Sequence, residues 1–207
     1  MGGEVSKRDL VIEDGKPRNF FRLEGEFSWI CGGAIPAFNE NIEFLKKKNI
    51  KHIVSLCIDP LKYGLNINHA PFDHDHTEWV LGDDLDLNSF NLHHVPMADA
   101  GCLYEEQAKN LLRVMREIQE KEENIYLHCW LGKGRTATAI LYTLMNLYNK
   151  TLDGVFQILI AASPKHEDVL KPVQLKFLKG KKMTEQEFET FLPIIKTPSD
   201  HKVWTIK

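Results

Sequence analysis

Cys129 and Arg135 stand six positions apart in the run His128-Cys129-Trp130-Leu131-Gly132-Lys133-Gly134-Arg135-Thr136, with two glycines between them. A thiol is a weak nucleophile until its anion is stabilised, and converging backbone N–H groups at a helix N-terminus supply that stabilisation. The same groups hold a phosphoryl group, so nucleophile and oxyanion cradle coincide. Gly132 and Gly134 permit backbone conformations closed to residues with a Cβ, which lets successive amides aim at one anion. Arg135 adds a planar fork that matches two phosphoryl oxygens. The expected phosphate cradle is therefore Trp130, Leu131, Gly132, Lys133, Gly134 and Arg135.

Such a loop needs a rigid strand behind it and a helix ahead. Asn124 to His128 is a short apolar run suited to a buried strand, and Thr136 to Tyr148 is apolar on most sides, as a central helix would be. In that setting His-Cys-x-x-Gly-x-x-Arg-Thr resembles the signature of the cysteine-dependent protein tyrosine phosphatase superfamily. Ala137 departs from it, since most members have glycine there. Further blocks are similar to the small atypical dual-specificity phosphatases: Phe27-Ser28-Trp29-Ile30, Ala34-Ile35-Pro36, Phe44-Leu45, Ile50 to Leu56, and Leu92-His93-His94-Val95-Pro96-Met97-Ala98-Asp99. The likeness runs from about Glu26 to Ala161, with a gap in its middle.

A departing phosphoester oxygen needs a proton, which a carboxylic acid on a mobile loop can give. Asp99 is the candidate: it lies 30 residues before Cys129, after an apolar strand and before Ala100-Gly101. An isolated loop aspartate is otherwise a turn or capping residue. Asp83, Asp84 and Asp86 compete weakly, because they precede the strand. The resemblance implies attack by Cys129 on phosphorus, a cysteinyl-phosphate intermediate, and hydrolysis with Asp99 acting as base. Thr136 is expected to donate its hydroxyl to the cysteine sulfur, and His128 to fix the loop by hydrogen bonding without giving a proton to substrate. Gln174 and Gln186 are the two options for a residue that orients water. No metal and no cofactor is required.

The 207 residues are 43% hydrophobic, enough for one substantial core, and no linker is evident. The expectation is an α/β single-domain sandwich with a short, mostly parallel central sheet flanked by helices, of the protein tyrosine phosphatase type. Residues 1–25 are read as an N-terminal extension and 26–200 as the catalytic domain. Strands are predicted at Trp29–Cys31, His52–Cys57, Leu92–Val95 and Ile125–His128. Helices are predicted near Asn41–Lys48, Tyr104–Lys121, Arg135–Asn149, Leu152–Ala161 and Glu185–Ile195. In the second of these Leu111, Leu112, Met115 and Ile118 recur at helical spacing.

Cys31, Cys57, Cys102 and Cys129 show no disulfide-framework spacing, and no secretory signal or membrane span is visible, which points to a cytoplasmic protein. By likeness to related phosphoinositide phosphatases, Cys57 is a candidate redox partner of Cys129. The start Met1-Gly2-Gly3-Glu4-Val5-Ser6 fits N-myristoylation at Gly2, which would give a weak, reversible membrane contact. Between Lys62 and Phe90 the acids Asp73, Asp75, Glu78, Asp83, Asp84 and Asp86 face the single base Lys62. Lys133, Lys165, Lys171, Lys176, Lys179, Lys181 and Lys182 make the loop and the later segment basic. The net charge of -3 favours no polyanionic partner, so nucleic acid is not expected.

Phosphoproteins rank first as substrates. Phosphoinositides or inositol phosphates come second, and RNA 5′-phosphates or other small phosphates follow. His69, Asp73, His74, Asp75 and His76 combine metal-ligand types, but a polar loop is the plainer reading. Two rival classes remain: a metallohydrolase, which a chelator would inactivate, and a phosphate-binding adaptor that binds without turnover. A monomer is expected.

Overall fold

The computed structural model describes residues 11–57, 85–98 and 101–180. In chain order these form β1 (Val11–Ile12), β2 (Lys16–Pro17), β3 (Phe21–Arg22), β4 (Ile30–Ala34), α1 (Asn39–Lys47), β5 (Ile50–Ser55), β6 (Asn91–His94), α2 (Glu105–Glu120), β7 (Asn124–Cys129), α3 (Gly134–Leu147), α4 (Leu152–Ala162) and α5 (Pro172–Leu178). Five strands make one sheet in the order β3-β4-β7-β5-β6, and β1 pairs with β2 apart from it. All neighbours in the large sheet run parallel except β3, which lies antiparallel to β4. This is the mostly parallel α/β arrangement that the sequence predicts.

The strand that ends in Cys129 sits at the centre. β7 pairs with β4 through Cys31↔Tyr126 and Ala34↔Cys129, and with β5 through Ser55↔His128. A strand covered on both faces must be apolar throughout, and Ile125, Tyr126 and Leu127 are fully buried. Alternation divides them between two cores. Ile125, Leu127 and Cys129 join Leu111, Met115, Ile118, Ile140 and Leu144 on one face, and Tyr126 joins Cys31, Ile35, Ile42, Leu45 and Ile53 on the other.

α3 lies within the protein rather than on it: every residue from Arg135 to Leu141 is buried. α2 covers the same face with one stripe, Ala108, Leu111, Val114, Met115 and Ile118. Leu112, predicted for that stripe, is only half-buried, and Val114 takes its place one turn-step further round. The helix predicted at Glu185–Ile195 lies outside the described residues. Four elements carry too few residues to be read from periodicity: the two-residue β1, β2 and β3, and the seven-residue α5. The segment before Glu26, set apart from the domain by sequence, supplies β3 and hence one edge of the sheet.

Candidate active site

Cys129 closes β7, and the chain then leaves the sheet as a loop that ends in the first turn of α3. Gly132 makes that loop possible for two reasons. Its φ is +68°, a region that side chains rarely adopt, and a Cβ there would run into the backbone of Gly33 on β4. Cys129 is 3% exposed and Arg135 7%, so both sit at the floor of the turn. Lys133 caps α3 and is exposed, while Trp130 and Leu131 are half-buried.

The loop carbonyls are taken up from outside. Ile35 N–H donates to Trp130 O (3.3 Å), Asn19 Nδ2 to Leu131 O (2.9 Å) and His166 Nε2 to Gly132 O (2.9 Å). A peptide unit is planar and trans, so a carbonyl held outward turns the N–H of the following residue the other way. The amides of Leu131, Gly132 and Lys133 are thereby aimed to the side opposite those donors. Such a row of amides at a helix start is an anion-binding concavity.

Arg135 belongs to both halves of the site. One of its guanidinium nitrogens, Nη1, donates to the carbonyl of Met97 at 3.3 Å, in the segment that follows β6. Met97 and Ala98 are buried and lead directly to position 99. Asp99, the sequence candidate for the general acid, lies outside the described residues, as do Asp83, Asp84 and the His69 to His76 cluster. Asp86 is described and pairs with Lys46 at 2.7 Å on the surface. That bond and the nearby ammonium hold its carboxyl below the usual carboxylate range.

Two expected contacts take a different form. His128 is fully buried, and its ring has no side-chain hydrogen-bond partner among the described residues. The ring stacks near Tyr126, with centroids 6.2 Å apart. It packs beneath the loop with its ring beside the backbone of Cys129. Burial, with smaller contributions from Arg135 and His94, pushes its pKa down to about 3. Thr136 Oγ1 is likewise buried without a partner among the described residues, so its expected bond to the Cys129 sulfur is not formed in this state.

Gln174 is buried against the start of α3. Its Nε2 donates to Gly101 O at 3.0 Å and its Oε1 accepts from Lys171 N at 2.9 Å. The amide thus ties the chain just after position 99 to α5, beside Gly134. Gln186 lies outside the described residues. Cys31, Cys57, Cys102 and Cys129 are all buried, and none is in a disulfide. Among the described residues no cluster of His, Cys, Asp and Glu is suited to a metal, and no helix is long and apolar enough to cross a membrane.

Sequence reasoning missed Asn19 and His166. Neither lies in a motif, and each meets the loop only through folding.

A parallel sheet whose central strand ends in a buried cysteine, followed by an amide loop and an arginine, defines the cysteine-dependent phosphatases of the protein tyrosine phosphatase superfamily. Comparison with known proteins narrows the class. The profile of the family described as "Polymorphic toxin system, DSP-PTPase phosphatase" matches residues 31–147, more than half of the chain. The chain belongs to that family, and it is a cysteine-dependent phosphatase of the small dual-specificity type.

Solved structures share the fold at low identity. A mouse putative dual specificity phosphatase complexed with zinc tungstate is 16% identical with a TM-score of 0.58, covering 91% of this chain and 99% of its own. Human DUSP28 is 15% identical with a TM-score of 0.55, covering 80% and 93%. PTPMT1 in complex with PI(5)P is 14% identical with a TM-score of 0.56, covering 73% and 88%. No curated protein matches significantly.

Proposed function

We propose that the protein hydrolyses phosphomonoesters with Cys129 as nucleophile, Arg135 as phosphate clamp and Asp99 as general acid and base. The observation that carries this reading is the place of Arg135. It is buried in the first turn behind the amide loop, six residues after the strand-ending cysteine, and bonded to the segment that leads to Asp99.

In the first step the Cys129 thiolate forms an S–P bond as the P–O bond to the leaving group breaks, and Asp99 gives that oxygen its proton. In the second, water attacks phosphorus, Asp99 takes a proton from it, and the S–P bond breaks to return the thiolate and inorganic phosphate. The loop amides and the Arg135 fork hold the equatorial oxygens throughout. The residues read as cradle in the sequence, Trp130 to Arg135, keep that role here, with Lys133 at the rim. Thr136 and His128 support the loop from beneath. No step needs a metal or cofactor. Gln174 has both ends of its amide engaged, so its role in this reading is to brace the acid loop against α5 rather than to hold water.

Phosphotyrosine, phosphoserine and phosphothreonine proteins are the first substrate class, in keeping with the dual-specificity family. The exposed Lys133 favours a second reading, a phosphoinositide or inositol phosphate, whose further phosphates an ammonium at the rim would attract. The PTPMT1 complex shows that a protein of this fold is found with PI(5)P. The family description further supports a role within a polymorphic toxin system.

The test is phosphate release from a small aryl phosphate, phosphopeptides, phosphoinositides and inositol phosphates, with Cys129→Ser and Asp99→Ala alongside and a chelator present. Turnover by wild type and a loss of about 1,000-fold or more in Cys129→Ser is the expected result. Activity that survives in Cys129→Ser, or vanishes with the chelator, would overturn the mechanism. Binding without release would leave an adaptor.

A further inference from the structure

Three successive carbonyls, those of Trp130, Leu131 and Gly132, are each bonded by a donor from a different part of the chain. One donor is the backbone N–H of Ile35, which substitution leaves in place. The other two are side chains. Asn19 reaches the loop from 112 residues away, and His166 from 34.

Both are held for the task. Asn19 has φ +55°, in the left-handed region where asparagine is among the more tolerant residues. Its turn is fixed on either side: Phe20 N–H donates to Pro17 O at 3.1 Å, and Arg18 O accepts from Ala34 N–H at 2.8 Å. His166 is fully buried in the short turn that follows α4, with its ring edge-on to Phe21 of β3 at 4.8 Å. A carbonyl cannot donate, so Nε2 must carry the proton. Nδ1 has no side-chain hydrogen-bond partner among the described residues and lies near the backbone of Ser163. Burial, with Lys133 nearby, keeps this ring below its usual pKa and so in the neutral form that the bond uses.

We propose that Asn19 and His166 are positioning residues for the phosphate loop, holding its carbonyls outward so that its amides face the anion. This rests on the phosphatase reading above. Neither side chain touches the substrate; each acts through the peptide unit it holds. Without the donor, a carbonyl beside buried groups is left unpaired, and the unit is free to rotate and present oxygen instead of N–H to a negatively charged ligand. The loop then binds phosphate less well in both the ground state and the transition state.

The experiment compares His166→Phe, which keeps a ring against Phe21 but no donor, His166→Gln, which returns an N–H, and Asn19→Gly, which keeps the backbone conformation and removes the amide. kcat and KM for an aryl phosphate and inhibition by inorganic phosphate are measured on folded protein, with a thermal melt on each variant. His166→Phe and Asn19→Gly are expected to lose about ten-fold in kcat/KM each, with phosphate inhibition weakened in step. His166→Gln is expected to recover most of the loss. The double variant should lose less than the product of the single losses, because both donors act on one loop.

A lowered melting temperature with kcat/KM and phosphate inhibition within about two-fold of wild type would show a merely structural role and overturn the proposal. If His166→Phe does not fold, Asn19→Gly decides. If wild type itself releases no phosphate, the phosphatase reading falls. The positioning proposal is then decided separately, by calorimetry of inorganic phosphate binding to the same variants in a Cys129→Ser background.

Discussion

Two groups of polar side chains lie toward opposite ends of the same sheet, and the fold treats them in opposite ways. Toward the start of β5, His52 is 3% exposed and both its ring nitrogens are engaged: Nε2 donates to Glu123 at 2.6 Å, and Nδ1 meets His93 Nε2 at 3.0 Å. Because the carboxylate only accepts, the chain runs from His93 through His52 to Glu123. At the other end of these strands, Ser55 Oγ and, in the first turn of α3, Thr136 Oγ1 are buried with no hydrogen-bond partner among the described residues, beside the fully buried His128. Each such group costs about 1–3 kcal/mol, and buried polar atoms are rarely left so. The His52 relay is satisfied, and the unpartnered hydroxyls lie beside the candidate site.

The largest expected effect lies at the strand ends. Arg135→Lys keeps a positive charge but loses the planar fork, so kcat/KM on an aryl phosphate should fall about 100- to 1,000-fold while the melting temperature changes little. Retained activity would mean that charge alone suffices and that the Met97 contact orients nothing.

Acid sharpens the contrast. The His93 pKa is lowered to about 4, chiefly by burial and then by His52, and that of His128 to about 3. In both cases the unfolded chain binds the proton more readily, near the ordinary histidine value of 6.5, so stability rises with pH between the folded value and 6.5 and falls as the pH drops through that window. Partial exposure screens His93, and its share should be about 1 kcal/mol by pH 4. The fully buried His128 should contribute more. Urea melts at pH 7, 5 and 4 on His93→Gln and His128→Asn measure the two shares, and a larger share for His93 would reverse the comparison.

Glu123→Gln is the smallest change. It removes the charge at the end of the relay while keeping an acceptor oxygen, far along the strands from Cys129, and should lower the melting temperature slightly with kcat/KM unchanged. A loss of activity would show that the two ends are coupled.

The parts of this arrangement that could be read in the sequence are those contiguous in it. β7, the loop and α3 are successive, so apolar run, glycines and helix reveal one another, and α2 was placed to within a residue at each end. His52, His93 and Glu123 come from three segments. Asn19 and His166 likewise meet the loop across long separations, and no local spacing marks them. β3 is two residues long and cannot display a period. The residue type of Thr136 suggests a bond to the Cys129 sulfur, but burial leaves its hydroxyl without a partner among the described residues. Contiguity exposes the nucleophile, but the supports that shape its loop are written across the chain.

The contact between Gly132 and Gly33 has a consequence for how this sequence can vary. Gly132 lies in the recognisable signature and Gly33 does not, yet a Cβ on either would strike backbone or buried side-chain atoms, those of Gly33 in one case and the hydroxyl of Tyr126 in the other. No single substitution at either site opens space for the other, so the two are locked as a pair. Drift under selection can remodel the rim at Lys133 one step at a time, while the seam beneath the loop offers no viable first step. Diversity in this enzyme, natural or made in a library, should therefore gather at the mouth of the site and leave its seam invariant.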